Sequence, residues 1–60
     1  MAAYKVRNFV RHKWFGQDIL MQIVHVEDKQ SDCIYTCRYF SNGIFHSANF
    51  YEHELVVWED

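Results

Sequence analysis

Apolar residues recur at alternate positions along most of this chain, a period near two that favours strands over helices. In residues 4–13 the even positions are Tyr4, Val6, Asn8, Val10 and His12, and the odd ones Lys5, Arg7, Phe9, Arg11 and Lys13. That alternation predicts a first strand with one mostly apolar face and one basic face around Phe9. Residues 14–18 read as a loop turning on Gly16. Residues 19–26 form the second predicted strand, with Ile19, Met21 and Ile23 on one face and Leu20, Val24 and Val26 on the other. Apolar residues on both faces suit a tightly curled strand that serves two halves of a small barrel. Residues 27–32 are polar throughout and predict a surface loop.

The strongest local signal lies between two β-rich segments, residues 33–40 and 44–50, which Asn42-Gly43 separates. Asn-Gly favours a type I′ turn, because both central positions need positive φ. A hairpin on that turn sets Phe40 opposite Phe45, Tyr39 opposite His46, Arg38 opposite Ser47 and Cys37 opposite Ala48. The face with Cys33, Tyr35, Cys37 and Tyr39 against Ile44, His46, Ala48 and Phe50 is expected to line the core. The other face would then carry Phe40 and Phe45 as an exposed cross-strand pair. Residues 51–55 suit one short helical turn, and residues 56–58 a last brief strand. The expectation is an all-β, small SH3-like barrel of about five strands with one short helical turn near the C-terminus.

Sixty residues allow a single domain, residues 1–60, whose folding buries only roughly 60% of the unfolded surface. Aromatic residues make up 18% of the chain and supply much burial per position. No apolar stretch approaches a membrane span, and Met-Ala-Ala-Tyr-Lys at the start lacks the apolar core of a signal peptide. A cytoplasmic protein without a membrane partner is the expectation. Cys33 and Cys37 in one extended strand would stand about 13 Å apart at Cα. A disulfide needs roughly 4.4–6.8 Å, so buried free thiols are expected instead.

The pattern resembles the YodC-like family, short uncharacterised bacterial proteins. The resemblance runs through Val6-Arg7-Asn8-Phe9-Val10-Arg11-His12-Lys13, Met21-Gln22-Ile23, Cys37-Arg38-Tyr39-Phe40 and Asn42-Gly43, then on to Phe50 and Leu55. Family members usually carry Gly-Asp at the place of Arg7-Asn8 and Trp at that of Tyr39, and the loop around Gly16 differs in spacing. The resemblance implies an SH3-like barrel and supplies no activity.

Four histidines and two cysteines raise metal binding, yet no C-x₂-C or H-x₃₋₅-H pair is present. A site would have to assemble from separate strands, for instance from His12, Cys37 and His46. The plainer expectation makes His46 a core-edge histidine bonded to backbone or water. Cys37 beside His46 is the single pairing that suggests nucleophilic chemistry, and no glycine-rich oxyanion loop accompanies it. No cofactor and no enzymatic activity are expected.

Charge is uneven. Lys5, Arg7, Arg11 and Lys13 give residues 1–17 a balance of +4, and residues 18–60 carry −6, for a net −2. Lys5, Arg7, Phe9, Arg11 and Lys13 on one strand face would suit nucleic acid, with basic groups on phosphates and the ring on a base. Against this, the isoelectric point is about 6.0, where dedicated binders exceed 9. Trp14, Phe15, Phe40, Phe45 and Trp58 are more large rings than so small a core encloses easily. They mark the leading functional expectation, a non-enzymatic protein-interaction module with a protein partner or a second copy of itself, a homodimer. Nucleic-acid binding by the basic first strand is the alternative, and rings that merely cover the barrel ends are the plain one.

Overall fold

Asn42 and Gly43 adopt φ of 52° and 77°, the two positive values a type I′ turn requires, and the longest hairpin grows from them. The structure, a computed structural model, describes residues 2–16, 18–29 and 32–58. Gln17 of the expected first loop, Gln30 and Ser31 of the expected polar loop, and Met1, Glu59 and Asp60 at the ends lie outside the described residues. The strands are β1 (Phe9–His12), β2 (Met21–Asp28), β3 (Cys33–Ser41), β4 (Ile44–Tyr51) and β5 (Leu55–Val57). A 3₁₀ turn, Glu52–Glu54, joins β4 to β5. All five strands form one antiparallel sheet in the order β4-β3-β2-β1-β5. The sheet curls strongly: the His12 ring on β1 meets the Phe50 ring on β4 at 5.4 Å, although two strands separate them in the ladder. The domain is therefore all-β and SH3-like.

The β3–β4 register is the one expected from the turn, with Phe40 opposite Phe45, Arg38 opposite Ser47 and Cys37 opposite Ala48. Cys33, Tyr35 and Cys37 are buried and alternate with residues that face outward. They join Val10, Met21, Ile23 and Leu55 in the core, with Tyr4, Ile19, Val26, Tyr39 and Phe50 packed around it. Ile44 departs from the expected core face and is 61% exposed, because β4 runs past the end of the core there.

The apolar residues on both faces of β2 have a specific cause. The β2–β3 register slips between Ile23 and His25, which is a bulge. Before it the odd positions Met21 and Ile23 point inward; after it Val26 does, and Val24 is left exposed. One extra residue reverses the alternation and bends the strand. β2 also runs to Asp28, further than its polar sequence suggests, and the next residue, Lys29, donates its N–H to the Asp32 carbonyl at 3.0 Å.

The first strand requires a correction. Only Phe9–His12 is extended. Arg7 takes φ of 81°, and the Asn8 side chain accepts the Lys5 N–H at 2.9 Å while Asn8 N–H donates to the Lys5 carbonyl at 3.0 Å. An asparagine side chain that closes its own turn competes with strand pairing. The ladder partly survives the turn: Arg7 N–H still reaches the Ile23 carbonyl at 2.7 Å.

Candidate functional site

The outer face of the sheet carries a group of exposed large apolar side chains, Phe9, Leu20, Phe40 and Phe45. Phe40 and Phe45 stand edge to face across the hairpin at 4.9 Å, and the Arg38 guanidinium lies 4.4 Å from the centre of the Phe45 ring. Gln22 stands opposite Arg38, and Phe9 opposite Gln22. These residues and Leu20 line a shallow cavity of about 290 Å³ that spans four strands, β1 to β4. Phe40 and Phe45 remain 57% and 60% exposed. The planar cation on an aromatic face makes the rim electrostatically attractive to carboxylates while the floor stays apolar.

A second cluster surrounds His12. Its ring is buried, and Nδ1 accepts the backbone N–H groups of Trp14 and Phe15, both at 3.1 Å. An accepting Nδ1 puts the proton of neutral histidine on Nε2, which faces Glu54 Oε2 at 3.4 Å. Glu54 also accepts the Tyr51 N–H at 2.8 Å, and that bond is the main cause holding its carboxyl below the usual range. The rings of Trp14, Phe15 and Phe50 all pack on the imidazole. His12, Phe15, Ile19, Met21, Tyr39 and Phe50 border a cavity of about 260 Å³. His12 thus pins the turn that starts the β1–β2 loop.

The five expected interaction aromatics therefore do not form one group. Phe40 and Phe45 belong to the outer face, and Phe15 belongs to the His12 cavity with Trp14 beside it. Of the lining residues only Tyr39 borders both cavities. Trp58 is half-buried and donates its backbone N–H to the Phe9 carbonyl at 3.0 Å. Phe9, Leu20, Arg38 and Gln22 complete the outer cavity. The hairpin register already implied Arg38 beside Phe45, but the link to Phe9 and Leu20 needs the β1–β2–β3 pairing.

The expected basic face is likewise broken up. Lys5 and Arg7 sit in the turn before β1, Arg11 is half-buried opposite Val56, and Lys13 follows the strand with its N–H on the Glu54 carbonyl. Only Phe9 and Arg11 lie within β1. The left-handed Arg7 breaks the alternation that would have aligned the others.

Nothing here activates a thiol. Cys37 is fully buried, and burial pushes its pKa up to about 11, the reverse of what a nucleophile needs. It stands opposite Ala48, while His46 stands opposite Tyr39, stacks on that ring at 5.3 Å and bonds the Ser41 carbonyl at 3.2 Å. Cys33 donates its thiol proton to Asp28 Oδ1 at 3.2 Å. Among the described residues no group of three or more His, Cys, Asp or Glu is arranged to hold a metal ion, and His12 spends both ring nitrogens on the contacts above. Among them also, no helix is long and apolar enough to cross a membrane. Compared with known proteins, the chain matches no family model, no curated protein and no solved structure.

Proposed function

We propose that this protein is a non-enzymatic interaction module that receives a protein partner on the outer face of its sheet. The observation that carries the reading is the contiguous aromatic floor of Phe9, Phe40 and Phe45 with Arg38 laid over Phe45. Exposed large apolar side chains grouped on one face gain from being covered. Arginine and aromatic residues also dominate the energetic centres of protein interfaces. The rim cation favours a partner segment that combines an apolar anchor with an acidic group. The resemblance to the YodC-like family adds no activity to this reading.

Affinity capture from the native host with the wild-type chain and with Phe40→Ser tests it. A protein retained by the wild type and lost with Phe40→Ser is the expected result. Retention that Phe40→Ser and Phe9→Ser leave unchanged would overturn the outer-face assignment. Nucleic-acid binding is the other reading, and it now leans on Phe9 and Arg11 in β1 with Lys5 and Arg7 beside them. It requires oligonucleotide affinity that falls steeply with salt and drops on Arg11→Glu.

A further inference from the structure

We propose that β4 is a self-pairing edge, through which two copies of this chain join antiparallel about a two-fold axis at Ser47. This extends the contact-making reading to a second surface, made of backbone groups rather than outer-face rings, and the two can fail separately.

β4 lies at the end of the strand order and pairs only with β3. In a two-residue hairpin the residues flanking the turn form a hydrogen-bonded pair, and the ladder alternates from there. Ile44, His46, Ala48 and Phe50 therefore spend their backbone groups on β3. Phe45, Ser47, Asn49 and Tyr51 turn theirs to the open side. The phase agrees with two independent contacts. Ile23, opposite Cys37, gives its N–H and carbonyl to Asn8 and Arg7 on the β1 side, leaving Cys37 to bond Ala48. The outward Tyr51 N–H is taken by Glu54 Oε1. The N–H and carbonyl groups of Phe45, Ser47 and Asn49 have no partner among the described residues.

Edge strands of monomeric proteins are commonly guarded by lysine, proline, inward-pointing charge or a bulge. β4, Ile-Phe-His-Ser-Ala-Asn-Phe-Tyr, has no proline and no Asp, Glu, Lys or Arg. Its pairing with β3 runs without a register slip. The guards occur elsewhere: the opposite edge, β5, is three residues long, and the bulge is in β2.

The open groups also select the partner. Phe45, Ser47 and Asn49 are symmetric about Ser47, so a second β4 can meet the first with Ser47 opposite Ser47 and Phe45 opposite Asn49. All the outward pairs then exchange both hydrogen bonds. On the inner side the same register sets Ile44 opposite Phe50 and His46 opposite Ala48, so the exposed Ile44 gains an apolar neighbour. No charged side chain enters the seam. The nearest like charges, the two Arg38 side chains, would stand three strand spacings apart, about 14 Å, beyond the screening length at physiological salt. A head-to-tail alternative, β4 on β5, would match eight residues with three and leave most of the edge open.

The test uses the full chain in a dilution series, followed by sedimentation and by amide hydrogen exchange. The expected result is a mass that doubles on concentration, with exchange at Phe45, Ser47 and Asn49 slowed in step. Ser47→Pro removes an outward N–H without costing a β3 bond. Ser47→Glu sets like charges face to face at the axis while meeting Arg38 within its own hairpin. Both variants should remain folded and monomeric, and Phe40→Ser should still dimerise. A monomer at every concentration, with those amides exchanging freely, would overturn the proposal. So would a dimer that Ser47→Pro and Ser47→Glu leave intact but Phe40→Ser dissolves, which assigns self-contact to the outer face. Open-ended assembly blocked by Val57→Pro, whose N–H faces the open side of β5, would replace the two-fold pair with β4-to-β5 addition.

Discussion

The buried Tyr35 hydroxyl donates to Glu52 Oε1 at 2.7 Å and so ties the middle of β3 to the 3₁₀ turn that leads into β5. The same carboxylate oxygen accepts the Ala3 N–H at 3.0 Å, and the Tyr35 oxygen accepts the Tyr4 N–H at 3.2 Å. The Tyr4 hydroxyl in turn donates to the Leu55 carbonyl at 3.1 Å. One short network thereby holds the N-terminal segment, β3, the turn and β5 together. Removing the hydroxyl with Tyr35→Phe keeps the ring packing and leaves Glu52 and the Tyr4 N–H short of a partner. The expected loss is about 1.5–3 kcal/mol, the range for hydrogen bonds to charged groups, read as a lower denaturant midpoint at unchanged m-value.

Acid should weaken the fold through Glu52 and Glu54. Hydrogen bonds from Tyr35 and Ala3 hold the Glu52 carboxyl below its ordinary 4.5, and the Tyr51 N–H does so chiefly for Glu54. The folded state therefore favours the charged forms. Their contribution is complete above the unfolded value near 4.5 and is lost as pH falls below it through the folded-state values. Denaturant unfolding across this range should show Glu52→Gln with a shallower acid dependence than the wild type. Identical slopes would contradict the assignment.

Alkali should act through a different pair. Burial raises Cys37 from 9.0 to about 11 and Tyr35 from 10.0 to about 12. Both folded-state values lie above the unfolded ones, so stability is complete below the unfolded values and declines as pH rises from 9.0 toward 12. Cys37→Ala should remove the earlier part of that decline. In the native state at neutral pH the Cys37 thiol should resist a thiol reagent that labels it promptly after unfolding.

The two glycines should differ in what alanine costs them. Gly43 has φ of 77° and open space where a Cβ would stand, so Gly43→Ala carries only the left-handed backbone cost, roughly 1–2 kcal/mol. At Gly16, with φ of 56°, a Cβ would also lie 2.9 Å from Ile19 Cδ1. Gly16→Ala should therefore lower the thermal midpoint more than Gly43→Ala.

Because Nδ1 accepts two backbone N–H groups, the ring proton of His12 should sit on Nε2, a tautomer that nitrogen chemical shifts identify. His12→Phe keeps the ring contacts with Trp14, Phe15 and Phe50 but strands two backbone N–H groups. Unsatisfied buried donors cost about 1–3 kcal/mol, and the Trp14 fluorescence should report a loosened loop.

The hairpin register, its core face and the C-terminal 3₁₀ turn were legible in the sequence because each follows from neighbours in the chain. Asn42-Gly43 dictates a turn, the turn dictates the pairing, and alternation assigns Cys33, Tyr35 and Cys37 to one side. The same local rules misread residues 4–8, where Asn8 closes a turn that simple alternation does not register. They also left β2 with two apolar faces and no reason for them until pairing with β3 revealed the bulge after Ile23. Phe9, Leu20 and Arg38 meet only because three strands lie side by side, and His12 reaches Phe50 only because the sheet curls. The open edge of β4 is of the same kind. Its lack of charge can be read residue by residue, but strand order alone decides that no neighbouring strand covers it, since the chain's own hydrogen bonds are satisfied one strand at a time.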